Sequence, residues 1–393
     1  MIFGATGSVI SVKSHVDGRW KKASAGVLAG AFAVTGLVAC STGEDASAPK
    51  DTSTTESQAA GQPVRPMDSP QAQPNLPGDT GKGIRVKDVA RVGANDPAAP
   101  IAVLSDNQLR IGPVSAASDL LSASAGRGIV TVTLPKGCTD LNTSAAGVTV
   151  ACDTVVKDVD KKGKELHSLD VPERATSAVF AKDGTAAVGQ PGTDKLAVIS
   201  PGGEKKAFTV SNSTDELVLM NGDSEKLAAI DHGQTRVSDV SMQDKALNAA
   251  LRIGQGVGTV ANGRGDDGVL IASDAHQDQL QMFTLTDVVR MHQAAPTGPG
   301  PWGVTWDSGR HLAWVSTTGD NMLKGYSVDQ GTPLAKAAVP TIASVRHIID
   351  GADGEVLLLS GDGHWQKLDK KQIQSALDKG APGAEEFPVK VDS

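Results

Sequence analysis

The spacing of short apolar runs and turn signals leaves this chain few folds to adopt. The clearest unit begins at Trp302, with apolar runs over 303–306, 311–316 and 322–328. Between and after these runs stand Asp-Ser-Gly, Thr-Gly-Asp-Asn and Asp-Gln-Gly, residues that accept the positive φ of tight hairpin turns. A fourth run, Leu334 to Val339, stops at Pro340. Four antiparallel strands in about 42 residues make one propeller blade. The last apolar residue before the second turn recurs at Val188, Ile230, Ala272, Val315 and Leu359, with gaps of 42, 42, 43 and 44. Ala151 and Ile111 extend the series upstream at gaps of 37 and 40. Seven marks over residues 84–393 predict an all-β fold, a β-propeller of seven four-stranded blades, with six or eight as neighbouring solutions. A pair of β-sandwiches does not account for the steady period.

Composition agrees with this pattern. Aromatics are 3% and glycines number 44, which suits short strands joined by tight turns. Helical patterning is confined to Lys371 to Lys379. A ring must also close on itself, and Ile84 to Val92 with Phe387 to Val391 are expected to share a blade and remove exposed strand edges.

The N-terminal part reads differently. Arg19-Trp20-Lys21-Lys22 is a positive n-region, and Ala23 to Ala39 is uncharged and rich in small apolar residues. The stretch ends Leu37-Val38-Ala39-Cys40, which fits the bacterial lipobox, so residues 1–39 are expected to be a lipoprotein signal peptide. An ordinary signal peptide or a single spanning anchor is the alternative. Cys40 would carry a covalent diacylglycerol and N-acyl lipid, each buried methylene contributing roughly 0.8 kcal/mol of membrane affinity. A leader of 39 residues exceeds the usual span, and initiation at Val12 or Val16 would give an ordinary one. From Ser41 to about Lys82, Ser, Thr, Pro, Gln and Ala dominate, so residues 40–82 read as the lipidated cysteine and a disordered tether, with the propeller over 83–393.

The formal net charge is −8. Removal of residues 1–39 takes away Lys13, Asp17, Arg19, Lys21 and Lys22, leaving about −11. A chain this acidic, without a long basic run, is repelled by phosphate backbones, so nucleic acid is not an expected partner. Cys138 and Cys152 flank a strand-like Val-Thr-Val. Outside the reducing cytosol they are expected to form a disulfide, against the alternative of two buried thiols.

Motifs of chemistry are sparse. Gly254-Gln255-Gly256-Val257-Gly258 imitates a dinucleotide loop, but it links one blade to the next and no helix follows to present its N-terminus to phosphate. No zinc spacing and no Gly-x-Ser-x-Gly elbow occurs. Trp302, Trp306, Trp314 and Trp365 are expected to pack between blades. The turns after the second strands carry Asp231 and His232, Asp274 and His276, Asp320 and Asn321, and Asp362 and His364. On one propeller rim these would form a ligand face able to hold a metal ion or polar ligand. The competing reading is that Asp and Asn are simply turn formers. No catalytic residue and no cofactor beyond the lipid is assigned, and a metal is left open.

Asp231-His-Gly-Gln-Thr, Leu251-Arg-Ile-Gly-Gln-Gly, Leu312-Ala-Trp-Val-Ser and Gly325-Tyr-Ser-Val-Asp-Gln-Gly, all within residues 231–341, resemble the actinobacterial lipoprotein LppL family, YncE-like seven-bladed propeller lipoproteins. The resemblance implies the fold and a place on the extracytoplasmic face of the cell membrane, and it adds no catalytic residue. The expected function is a non-enzymatic binding or scaffolding module in the cell envelope, facing a protein or polymer partner. The alternative is a propeller enzyme, lactonase or quinoprotein-like, using a metal on the propeller face.

Overall fold

The structure is a computed structural model. It describes residues 61–93, 96–220, 226–263, 268–286, 288–329 and 332–381. The lipobox with Cys40 and the segment Phe387 to Val391 lie outside the described residues. Seven four-stranded antiparallel sheets follow one another along the chain, so the fold is a seven-bladed β-propeller. Blades 1 to 6 occupy residues 88–133, 138–170, 177–209, 216–252, 257–296 and 301–340. Blade 7 combines Val345–Asp350, Val356–Ser360 and His364–Leu368 with an outer strand, Asp79–Lys82, from the start of the propeller.

The second strand of each blade explains why the period was visible. Ile101–Ser105, Val148–Cys152, Ala186–Gly189, Val269–Asp274, Leu312–Thr317 and Val356–Ser360 are buried at every position. A strand covered on both faces must be apolar almost continuously, whereas one with a single wet face alternates. Outer strands such as Glu165–Asp170 are largely exposed and polar. The apolar residues gather into seven clusters, one at each junction between neighbouring blades. With roughly 1.5–3 kcal/mol for each fully buried Val, Leu or Ile, the blade junctions hold the ring together.

Six of the seven marks fall in second strands, but Ile111 does not. It lies in the third strand of blade 1, Gln108–Gly112, and the second-strand position corresponding to the other marks is Leu104. The spacing slips there because a short helical insertion, Val114–Ala116 followed by Ala117–Leu121, precedes the fourth strand.

Closure also differs from expectation. Asp79–Lys82 zips onto His364–Leu368, pairing Asp79 with Lys367 and Gly81 with Trp365. A Cβ at Gly81 would sit 2.5 Å from the Trp365 ring, so this position needs glycine. Within Ile84 to Val92, Asp88–Arg91 is instead the innermost strand of blade 1. The closing strand therefore lies inside the stretch read as tether, and residues 61–78 ahead of it touch the propeller. After the last strand, Lys370–Lys379 forms the expected helix, capped by Asp369 through a capping box, and buries Ile373 and Ala376 against blades 6 and 7. No helix among the described residues is long and apolar enough to cross a membrane.

The candidate site at the channel mouth

The innermost strands surround a central channel with a cavity of about 610 Å³. The cavity reaches Gly93, Lys182 and Ser308 at the end of the first hairpins; its other mouth, beside Asp88, Glu216 and His232, is the end that carries the blade-to-blade loops and the turns after the second strands. Here a belt of polar contacts closes each blade junction. The Asp88 carboxylate accepts from the Leu141 amide at 2.8 Å, joining blades 1 and 2. Asn142 donates to Ser177 Oγ at 2.9 Å and to the Ala178 carbonyl at 3.0 Å, joining 2 and 3. Ser177 Oγ accepts from the Leu217 amide at 3.0 Å, joining 3 and 4. His232 Nδ1 lies 3.2 Å from the Val257 carbonyl, between 4 and 5. Thr259 and Ser273 donate to the Trp302 carbonyl, between 5 and 6. Ser316 donates to the Val345 carbonyl, between 6 and 7. His347 lies 3.8 Å from Asp88 across the last junction.

The belt is electrostatically lopsided. The inner-strand residues opposite the second-strand marks are Asp88, Asp140, Ala178, Glu216, Val260, Val304 and His347. All but Ala178 border the cavity, so the carboxyl groups sit on blades 1, 2 and 4 and valines on blades 5 and 6. Burial pushes Asp88 up to about 7. Asp140 is pushed well above the usual carboxylate range by burial and then by the nearby Asp88 charge. Burial, aided by Arg346, pushes His347 down to about 4. His347 is therefore neutral at pH 7, and its approach to Asp88 is not an ion pair. At His232 burial works to lower the pKa, but the 3.0 Å hydrogen bond and charge of Glu216 outweigh it and raise the value. Arg346 stacks over the Trp302 ring at 5.5 Å, and its Nη1 has no hydrogen-bond partner. At the opposite end of the inner strands, Arg91 and Asp350 form a buried ion pair.

Of the eight rim residues read from the sequence, only His232 borders this cavity. Asp231 is 2% exposed and accepts from Ser211 Oγ and the Ser213 and Gln234 amides. Asp274 accepts from the Gln255 and Gly256 amides at 2.9 and 3.0 Å and from the His276 amide. The glycine loop that imitates a phosphate cradle is thus closed by a carboxylate of its own chain. His276 Nδ1 lies 3.1 Å from the Gln255 carbonyl. Asp320 pairs with Lys324 at 2.7 Å. Asn321 takes a φ of 52° and donates to the Pro70 carbonyl. Asp362 is held down at about 2 by the Ser360 hydroxyl and by His364 at 3.0 Å. The four aspartates accept from groups of their own turns or of the adjoining blade-to-blade loops, whereas His232 bonds Glu216 and Asn321 bonds the Pro70 carbonyl. Among the described residues, no three His, Cys, Asp or Glu side chains are grouped so as to hold a metal ion.

Cys138 and Cys152 face each other across the first two strands of blade 2 and are disulfide-bonded. Trp314 is fully buried and donates to Asp307 at 3.1 Å, and Trp306 and Trp365 pack in blade junctions. Sequence reasoning passed over Asp88, Asp140, Glu216 and His347. The signal that finds them is the residue facing each mark across the first hairpin of a blade.

No family model and no curated protein sequence matches the chain. Solved structures do. The β-propeller domain of Cps50 (Swd1) from Myceliophteria thermophila aligns with a TM-score of 0.56 at 12% identity, covering 75% of this chain and 98% of that one. The WD40 β-propeller domain of Doa1 gives 0.52 at 14%, covering 76% and 98%. Streptogramin B lyase gives 0.53 at 13%, covering 74% and 98%. At these identities the likeness is one of fold alone.

Proposed function

We propose that this chain is a lipid-anchored, extracytoplasmic propeller that acts as a binding module and receives a cationic group at its channel mouth. The observation that carries the reading is the set of carboxyls from Asp88, Asp140 and Glu216 on one side of the belt. Junctions 3–4, 5–6 and 6–7 are closed there by hydroxyls and backbone groups alone, so closure does not require charge. Asp88 and Asp140, which burial has pushed toward neutrality, recover favourable energy when a cation arrives beside them. The anchor rests on Leu37-Val38-Ala39-Cys40, on the apolar stretch before it, and on the resemblance to the lipoprotein LppL family. An envelope protein or polymer offering lysine, arginine or amino-sugar groups fits this site. The enzymatic alternative has less support, because the rim acids it would use accept from amides and hydroxyls of their turns and adjoining loops.

Thermal titration at pH 8 with calcium, arginine and spermidine tests the ligand class. Stabilisation by at least one of them, weakened in Glu216→Gln, is expected, and no stabilisation by any overturns the cationic reading. Cys40→Ala is expected to move the protein from the membrane to the soluble fraction. Unchanged membrane retention overturns the anchor.

A further inference from the structure

We propose that residues 61–70 form a detachable strap that gates the channel mouth, so that access to the site is controlled by the segment leading to the anchor. The gate serves the binding site proposed above, but its geometry stands apart from any ligand. The strap starts beside blade 4, where a Cβ at Gly233 would lie 2.7 Å from the Gly61 carbonyl oxygen. It ends on blades 6 and 7. Met67 lies over Gly300 and Gly319, where an added Cβ would come within 2.7 and 2.6 Å of its side chain. Ser69 Oγ accepts from the Ser344 amide at 2.8 Å, and the Pro70 carbonyl accepts from Asn321 at 2.8 Å. The chain thus passes from the neighbour of His232 to the neighbours of Arg346, two residues that border the cavity. Asp68 places its charge near Arg346. A chord between the turns of blades 4 and 6 runs closer to the ring axis than those turns do. Midway along it Val64 is 9% exposed, an apolar side chain turned away from solvent.

The strap is also weakly fastened. Pro63, Pro66 and Pro70 have no amide hydrogen to donate, which prevents a continuous ladder and favours an extended, pre-stiffened chain. Most of residues 61–70 are exposed, and Met67 remains 45% exposed although it covers two glycines. Beyond it, Asp79–Lys82 is held by a four-residue ladder. Segments with few buried apolar contacts and few hydrogen bonds open at a fraction of the global unfolding cost. The strap can therefore lift while the ring stays closed.

The test is thiol labelling of the full chain. Val218→Cys places a thiol at a cavity-lining position below Glu216, and Lys161→Cys gives an exposed control. The probe is a trimethylammonium methanethiosulfonate. In the strap-released background Met67→Gly, Ser69→Ala and Asn321→Gly, labelling at position 218 is expected to rise at least fivefold while position 161 is unchanged. Glycine at 321 retains the positive φ of that turn. Equal rates at position 218 overturn the gate, whether the strap leaves the mouth open or the probe enters from the other end. Hydrogen exchange on the unaltered protein is a second measurement that needs no variant. The amides of Arg65, Met67 and Asp68 are expected to exchange at least tenfold faster than the paired amides of Asp79–Lys82, and equal protection overturns detachability. Neither readout uses a cation, so failure here is distinct from failure of the cation titration.

Discussion

Asp88→Asn isolates the cost of placing a carboxyl in the channel belt. Asp88 accepts from the Leu141 and Val89 amides, each at 2.8 Å, and its side chain is 24% exposed. Its pKa stands near 7 in the folded chain against 3.8 for the ordinary group, and burial is the main cause. A raised acid contributes stability that is fully present below the unfolded value and is lost as pH rises through the folded one. Between pH 5 and 7 the slope is about 1.4 kcal/mol per unit, which sets a ceiling of about 3 kcal/mol. Asp140 shares the proton uptake, so about 2 kcal/mol is the working figure for Asp88. Asparagine removes the titration but offers one acceptor where two amides point, costing about 1–2 kcal/mol at every pH. The variant should therefore melt below the wild type at pH 5 and near or above it at pH 8.5. At roughly 2 °C per kcal/mol, the difference in Tm should swing by about 4 °C. Thermal melts of both proteins at the two pH values decide the matter. A difference that stays constant within 1 °C refutes the claim that Asp88 keeps its proton in the folded channel.

Three further outcomes follow from the same contacts. Replacing Cys138 and Cys152 together by alanine opens a loop with a sequence separation of 14 and should cost about 3 kcal/mol, read as a lower Tm that matches the reduced wild type. Arg91→Ala leaves Asp350 buried without its partner and should cost about 3–5 kcal/mol, while Arg91→Met with Asp350→Leu should recover much of the loss in the same melts. Gly81→Val drives a side chain into the Trp365 ring and should loosen the closing strand, giving faster hydrogen exchange in His364–Leu368 while blade 3 is unchanged.

How much of this was legible in the sequence depends on what each strand buries. Second strands are covered on both faces, so Val315 and Leu359 belong to continuous apolar runs that stand out at a fixed interval. The closing strand, Asp-Thr-Gly-Lys, has no apolar residue and is mostly exposed. Backbone pairing with His364–Leu368 defines it, and hydropathy does not report backbone pairing. Ile111 was mistaken for a second-strand mark because it too is buried, and the helical insertion after it stretches blade 1. The rim pairs drew attention because Asp and His resemble ligands. Yet the turns where they occur need acceptors for orphan amides, and Asp231 and Asp274 supply them. The ends of the strap and its proline content could be read as an unstructured tether, since its rim contacts come from Asn321 and Ser344, distant in sequence.

The channel residues were hidden for a different reason, and that reason bears on what they do. Asp88, Asp140, Glu216 and His347 sit in separate blades and become neighbours only when the ring curves shut. Each alone reads as a polar residue near the start of a strand. Their register is common, opposite Leu104, Ala151, Ile230 and Leu359, yet the chemistry at that register is not repeated around the ring. A purely structural seam has no reason to vary, since Ser177 and Ser316 close their junctions with a hydroxyl and little desolvation cost. Burying Asp88 beside Asp140 instead raises both pKa values and forgoes stability above pH 5. Strain of this electrostatic kind is concentrated on blades 1 and 2. A cation at the mouth would relieve it by restoring both carboxylates, so binding should strengthen as pH rises through about 7. A seam without a ligand would show no such dependence.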